Sequence, residues 1–165
     1  MIFVTVGTHE QQFDRLIKEV DRLRRNEDIA EDVIAQIGFS TYEPESCQWS
    51  RLFPYEKMCE YVAEARIVIT HGGPSSFLAP LQIGKVPIVV PRQKRFGEHV
   101  NDHQVEFCRA VKERMGNIIL VEDVRRLPNA IDRYEEYRKE RKLEGMNHNK
   151  FFNEQLEAIV RGLDV

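Results

Sequence analysis

The sequence predicts a doubly wound α/β domain, a parallel sheet with helices on both faces. Three observations carry that prediction. Short apolar runs alternate along the whole chain with stretches of helical period. The runs are apolar at consecutive positions, as strands buried on both faces require. Glycine or proline follows several runs at the point where a strand must turn.

The first run, MIFVTV (1–6), reads as a buried strand with Gly7 as its turn. Phe13, Leu16, Ile17, Val20 and Leu23 then recur at spacings of three and four, with Asp14, Arg15, Lys18, Glu19 and Arg22 between them. That is an amphipathic helix. VIAQIG (33–38) is a second strand ending at glycine, and the polar stretch FSTYEPESCQWSRLFP (39–54) follows, with a short strand expected near Arg51–Phe53. Pro54 suits the first turn of a helix running to about Ala65. RIVIT (66–70) is a third clear strand. Ser75 or Ser76 can cap the next helix, which Gly84 stops after about Ile83. VPIVVP (86–91) is a fourth strand, Asn101 or Asp102 can cap a helix to about Met115, and NIILV (117–121) is another strand. Two charged helices are expected to complete a single domain over 1–165, with a helical C-terminal extension from about 123. RYEEYRKERK (133–142) mixes both charge signs at helical spacing, which suits a solvated face or a contact with a partner or membrane.

Composition narrows the function. The 165 residues suit one domain. A net charge of -3 lacks the basic excess of a dedicated nucleic-acid binder. No apolar run approaches the roughly 20 residues that span a bilayer. The start, MIFVTVGTHE, lacks a basic n-region and a cleavage site, so a cytosolic protein is expected. Cys47, Cys59 and Cys108 are widely spaced with no CxxC pair, which argues for plain thiols over a disulfide framework or a zinc site.

In an open parallel sheet, ligands bind outside the carboxyl ends of the strands. Three strand-exit loops carry unusual chemistry: GTHEQQ (7–12), HGGPSS (71–76) and RQKRFGEHVNDHQ (92–104). Topology predicts that they meet at one edge. In the second loop, His71 precedes Gly72 and Gly73, which let the backbone adopt positive φ and pass close to a ligand. Ser75 and Ser76 open a helix whose first amides lack internal partners, a good match for a diphosphate. The same residues also suit a tight capped turn, and the motif alone does not choose. In the third loop, Arg92, Lys94 and Arg95 can balance diphosphate charge. Glu98, His99, Asn101, Asp102, His103 and Gln104 offer partners for sugar and ribose hydroxyls, and they equally suit a capped solvated loop. His99 and His103 are four apart, but no HExxH appears and a helix start between them disfavours a metal site. In the first loop, Gly7 and Thr8 lead to His9 and Glu10, either of which can be a general base or a solvated helix residue. GxxxxGK[ST] and GxGxxG are both absent, which disfavours a P-loop hydrolase and a dinucleotide oxidoreductase.

MIFVTVGTHEQQFDRL, ITHGGPSSFLAPLQIGKVPIVVPR and FGEHVNDHQVEF together resemble the C-terminal, donor-binding half of family-28 glycosyltransferases of the GT-B class. The resemblance covers roughly residues 1–122 and is strongest to short bacterial proteins of capsule and exopolysaccharide synthesis. It extends to the catalytic subunit of the two-component N-acetylglucosamine transferase. It implies a UDP-sugar donor, a lipid-diphosphate-linked saccharide acceptor and no essential metal or other cofactor. By position, the Gly72–Ser76 turn would contact the diphosphate. Asn101 to Gln104 would reach the donor sugar, and Gly7 to Glu10 would line the cleft. Many relatives carry a glutamate for the ribose where this sequence has Ala79 followed by Pro80, so ribose recognition would pass to Glu98 or to backbone groups. A GT-B enzyme works between two domains, so the resemblance implies a heterodimer with a membrane-anchored, acceptor-binding subunit at the inner face of the membrane. The implied reaction is an inverting displacement, with His9, Glu10 or a partner residue as base and galactose as one candidate sugar. A non-catalytic nucleotide-sugar-binding or regulatory subunit is the alternative, and a standalone epimerase or hydrolase is disfavoured.

Overall fold

The computed structural model describes residues 1–141, Glu154, residues 157–159 and Arg161. Six strands form one parallel sheet: β1 (Ile2–Thr5), β2 (Val33–Gln36), β3 (Gln48–Ser50), β4 (Ile67–His71), β5 (Ile88–Val90) and β6 (Ile119–Leu120), in the order β3-β2-β1-β4-β5-β6. The chain winds outward from β1 through β2 to β3, then restarts at β4 and winds the other way. The reversal lies between β1 and β4, which pair directly from Ile2↔Ile67 to Thr5↔Thr70. Such a switch point opens a crevice at the carboxyl ends of the strands.

The helices are α1 (Asp14–Arg25), α2 (Tyr55–Glu64), α3 (Pro74–Gln82), α4 (His103–Met115), α5 (Leu127–Asp132) and α6 (Tyr134–Glu140). Alternation along the strands sets the layers. Ile2, Val4, Ile67, Ile69, Ile88 and Val90 pack on one face with Leu16, Ile17 and Val20 of α1 and Leu127 and Ile131 of α5. Phe3 and Val68 face the other way onto Val62 of α2, and Val89 onto Phe77 of α3, Phe107 and Val111 of α4 and Ile159. Both sheet faces are covered, which is why the strands read as continuous apolar runs.

The third strand lies at 48–50, three residues before its predicted place. The parallel register fixes it there, with Ile34 opposite Gln48 and Gln36 opposite Ser50. Arg51 then turns the chain away by donating from Nη1 to the carbonyls of Gly38 (3.3 Å) and Ser40 (2.9 Å). The loop before the strand is tied to α1. Asp14 accepts from the amides of Thr41 and Tyr42, and the buried Asp21 accepts from the Ser46 amide (2.7 Å) and the Tyr42 hydroxyl (2.5 Å). Burial opposes ionisation of both carboxyls, but these hydrogen bonds outweigh it and hold both below the usual carboxylate range. Most of the charged 133–142 stretch is a solvated face: Arg133 pairs with Glu136 and Arg138 with Glu135, while Tyr134 is buried and donates to the Val86 carbonyl (2.6 Å). The extension read from 123 onward falls outside the described residues over 142–153, 155–156, 160 and 162–165.

Lys85 closes the C-terminal end of α2. Its Nζ donates to the carbonyls of Val62 (2.9 Å), Ala63 and Ala65 (2.7 Å). The last carbonyls of a helix have no internal partners and carry partial negative charge. Lys85→Met is therefore expected to lower unfolding free energy by about 1–3 kcal/mol, measured by urea denaturation. A change under about 0.5 kcal/mol, the size typical of neutral surface substitutions, would contradict this role.

Candidate functional site

Four polar residues end otherwise apolar strands: Thr5, Gln36, Thr70 and His71, all buried. The register puts Thr5 opposite both Gln36 and Thr70, so they form a row across β2, β1 and β4. The Thr5 hydroxyl donates to Gln36 Oε1 (3.2 Å) and accepts from the Gly7 amide (3.2 Å). Above this row opens a cleft of about 380 Å³ lined by Thr5, Gly7, Thr8, His9, Gln36, Met58, His71, Ser75, Ser76 and Gln104. The first and second strand-exit loops thus meet at the switch point, and Gln104 reaches them from the first turn of α4.

His71 is the hub. Its Nδ1 accepts from the Gly73 amide (3.1 Å) and faces Gln104 Nε2 (3.3 Å), while its Nε2 lies 2.8 Å from Ser76 Oγ. Gln104 Oε1 accepts from the amides of Gly72 (3.1 Å) and Arg92 (3.0 Å), so this side chain ties the exits of β4 and β5 together. The glycines are explained by the ring. A Cβ at Gly7 would lie 2.3 Å from His71 Nε2, and one at Gly73 2.3 Å from Cε1. Gly72 is closed off by Cys108 Sγ and Gln104. Gly7 alone of the three has positive φ, at 75°, so Gly72 and Gly73 are needed for close approach and not, as expected, for left-handed backbone.

The helix start also differs from expectation. Gly73 occupies the cap position of α3 with Pro74 next, and neither Ser75 nor Ser76 caps it. Their hydroxyls stand at the cleft wall. At α4, Asp102 holds the cap position, but its carboxylate accepts from the Lys94 amide (2.9 Å), and Asn101 Oδ1 accepts from the His103 amide (3.0 Å).

Burial pushes the His71 pKa down to about 3, with the Arg92 charge adding to it and the Gln104 hydrogen bond opposing it. The unfolded chain binds a proton near pH 6.5 that the native state refuses, so stability falls as pH drops from about 6.5 towards 3. The slope is up to about 1.4 kcal/mol per pH unit for one such group. His99, also lowered by burial and then by His9, acts in the same direction. Urea denaturation at pH 7 and pH 5 should show the loss, and His71→Gln should flatten it. An unchanged slope in the variant would contradict the assignment.

The third loop is mostly scaffold. Arg92 and Glu98, expected at the ligand, are both fully buried. Arg92 donates from Nη1 to the carbonyls of Gln11 (2.9 Å), Gln12 (3.2 Å) and Glu98 (3.1 Å), and from Nη2 to Val6 (2.7 Å), with Phe13 stacked 5.0 Å away. Burial lowers its pKa to about 10, so it stays cationic at neutral pH. Glu98 accepts from Arg15 Nε (2.9 Å) and Nη2 (3.0 Å) and from the Gln93 amide. These two residues bolt the 92–104 loop to the 7–12 loop and α1. Polar composition had signalled chemistry, but loop residues carry no periodicity that shows which of them turn inward.

His9 lines the cleft and stacks on His99, centroids 4.6 Å apart at 5°. Its Nε2 pairs with Gln11 Oε1 (2.8 Å), which makes Nε2 the donor and leaves Nδ1 with a lone pair. Glu10 is exposed, and neither it nor Asn101, Asp102 and His103 is in the cleft wall. Among the described residues, no three His, Cys, Asp or Glu side chains are grouped to hold a metal ion.

A second, more apolar cavity of about 340 Å³ shares Thr5, Met58, Ser75 and Ser76 with the cleft and continues between α2 and α3, bounded by Tyr55, Cys59, Val62, Ala63, Ala79, Gln82 and Ile83. Sequence reasoning missed Thr5, Gln36 and, apart from Ser75, Ser76 and Ala79, this wall. The signal for the first two was present: a single polar residue closing an apolar strand. A further hollow beside Leu23, Ile29 and Asn129 contains none of the strand-exit residues.

Fold and cleft define a doubly wound α/β domain, Rossmann-like as in GT-B glycosyltransferases, with its cleft at the strand exits where open parallel sheets take ligands. The chain belongs to the glycosyltransferase family 28 C-terminal domain family, which matches residues 1–161. It is 36% identical over 117 residues to the Homo sapiens UDP-N-acetylglucosamine transferase subunit ALG13, covering 66% of this chain and 10% of the human protein. It is similar in structure to CalG4, the calicheamicin glycosyltransferase (TM-score 0.59, 15% identity, 98% of this chain and 43% of that one). The same holds for the glycosyltransferase of kitacinnamycin (TM-score 0.63, 16% identity, 99% and 41%). At these identities the likeness to solved structures shows the fold alone.

Proposed function

We propose that this chain is the donor-binding, catalytic part of an inverting glycosyltransferase that takes a UDP-sugar. The observation that carries the reading is the join between the polar cleft and the apolar cavity at Ser75 and Ser76. A flat nucleobase suits the apolar side between α2 and α3, and a diphosphate suits the hydroxyls and helix start at the join. The sugar then lies over Gly7, Thr8 and His9. Ala79 and Gln82 border the nucleoside side, so with Glu98 buried the ribose is held by Gln82 or by backbone groups.

The acceptor hydroxyl attacks the anomeric carbon, its proton passes to a base, and UDP departs with negative charge growing on the diphosphate. Donors aimed at that charge lower the barrier. Among the described residues of the cleft wall, His9 is the group that offers a free basic atom, since His71 Nδ1 is already an acceptor. The chain spans about two fifths of the solved glycosyltransferases it matches. In this reading the acceptor, a lipid-diphosphate-linked saccharide, is brought by a membrane-anchored, acceptor-binding subunit at the inner face of the cell membrane, as in capsule or exopolysaccharide synthesis. Galactose is one candidate for the transferred sugar, and no cofactor or essential metal takes part.

UDP should raise the melting temperature of the chain, because a ligand that binds only the native state stabilises it, and a UDP-sugar screen should rank the donors. With the partner subunit present, His9→Ala should lower kcat by roughly 10²–10⁴-fold if His9 is the base. Donor binding with transfer indifferent to His9→Ala and Glu10→Ala would favour a non-catalytic donor-binding subunit, the reading that Ala79 supports. No shift with any UDP-sugar would end both readings.

A further inference from the structure

We propose that His71 is a positioning residue that turns the Ser76 hydroxyl proton away from the ring and aims it at a ligand acceptor, namely a diphosphate oxygen. The inference rests on the reading that the cleft takes the diphosphate of a UDP-sugar.

The chain of geometry runs inward from the backbone. The Gly73 amide can only donate, and it points at Nδ1 from 3.1 Å, with the Gln104 amide nitrogen also facing that atom at 3.3 Å. Nδ1 is therefore the acceptor and the ring proton sits on Nε2. The Gln104 amide cannot be reversed, because its Oε1 already accepts two backbone N–H groups, from Gly72 and Arg92. Nε2–H then donates to Ser76 Oγ at 2.8 Å. A serine hydroxyl has one proton and two lone pairs. With one lone pair taken by the imidazole, its proton cannot point back at the ring. Among the described residues that proton meets no protein acceptor, and Ser76 lines both the polar cleft and the apolar cavity. The hydroxyl hydrogen is thus presented at the join, where the nucleoside diphosphate must cross. An oxygen of a diphosphate accepts there without rearrangement, and charge-assisted bonds of this kind are the stronger ones.

The ring's own setting supports a fitted part. Gly7 and Gly73 leave only enough room for the imidazole, since a Cβ at either would come within 2.3 Å of it. A protonated ring would place Nδ1–H against the Gly73 N–H, so the site is built for neutral imidazole. His71 then acts on the ligand through orientation and not as a cation. The groups surrounding it are the buried Arg92 cation and the histidines His9 and His99.

The test is a double-mutant cycle on binding of UDP and of uridine by the full chain, read by calorimetry. Ser76→Ala and His71→Ala should each weaken UDP about tenfold or more, the scale of one hydrogen bond to a charged group. Uridine binding should stay within about twofold, well inside that scale. Once His71 is alanine, Ser76→Ala should cost little more, because the hydroxyl is no longer aimed. Additive losses would overturn the proposal, as would equal losses for UDP and uridine, the mark of a purely structural role. If His71→Ala does not fold, the nitrogen spectrum of the wild-type ring decides. The proposal requires a proton on Nε2 with and without UDP, and a proton on Nδ1 overturns it. Failure of the wild-type chain to bind UDP at all would instead defeat the donor-site reading beneath it.

Discussion

Gly7→Ala is expected to abolish UDP binding and to cost more stability than Gly73→Ala or Gly84→Ala. Two penalties coincide there. Gly7 has φ of 75°, a conformation that costs an L side chain about 1–2 kcal/mol. A Cβ would also stand 2.3 Å from His71 Nε2, so the imidazole must leave its place. Overpacking of that kind adds about 1–3 kcal/mol. Two other glycines separate the penalties. Gly84 has φ of 79°, but a Cβ there would meet nothing within 4 Å, so Gly84→Ala should carry the backbone cost alone and leave UDP binding intact. Gly73 has φ of -73° but the same 2.3 Å conflict with His71, so Gly73→Ala should impair UDP binding at a smaller cost in stability. Urea denaturation and calorimetry on the three variants give the ranking. Gly7→Ala behaving like Gly84→Ala would show that the ring has room to move and that the cleft does not depend on it.

Arg92→Met is the second large effect. The guanidinium supplies donors to four carbonyls, those of Val6, Gln11, Gln12 and Glu98, and sits fully buried over Phe13. Removing it leaves the carbonyls without those donors and uncouples the first loop from the third. Breaking a buried charged network costs about 3–5 kcal/mol. Lysine should not rescue, since one ammonium cannot reproduce a planar fork that serves carbonyls on two sides. Hydrogen exchange should also quicken at the amides of 7–12. Arg95→Met is the control: Arg95 is exposed, among the described residues it hydrogen-bonds Gln93 Oε1 and lies over the Phe96 ring, and its loss should change stability by about 0.5 kcal/mol or less. Equal effects of the two substitutions would contradict the scaffold role of Arg92.

Much of the fold could be read from the chain because hydrophobic pattern reports burial directly. MIFVTV, RIVIT and VPIVVP could only be strands covered on both faces, and their order with the helices left few topologies. Strand β3 was displaced because Gln48–Ser50 is partly exposed at the sheet edge and leaves little apolar signal. The site was half legible. HGGPSS and GTHEQQ were recognisable as strand exits, and the parallel topology forces such exits to one side. What the glycines were for was not legible, since the group they make room for, His71, is set by the three-dimensional meeting of β1 and β4. Arg92 and Glu98 were drawn to the ligand by their charge, although charge says nothing about direction. Thr5 and Gln36 went unnoticed because single polar residues inside apolar runs look like interruptions until the register aligns them.

A nitrogen–proton correlation titration of the chain with UDP tests the central claim most directly. The account predicts that the largest shifts fall on Gly7, Thr8, Gly72, Gly73, Ser75, Ser76 and the Gln104 side-chain amide, with a second set on α2 and α3 around Met58 and Gln82. Saturating UDP with no shifts, or shifts centred instead on the hollow beside Leu23, Ile29 and Asn129, would contradict it.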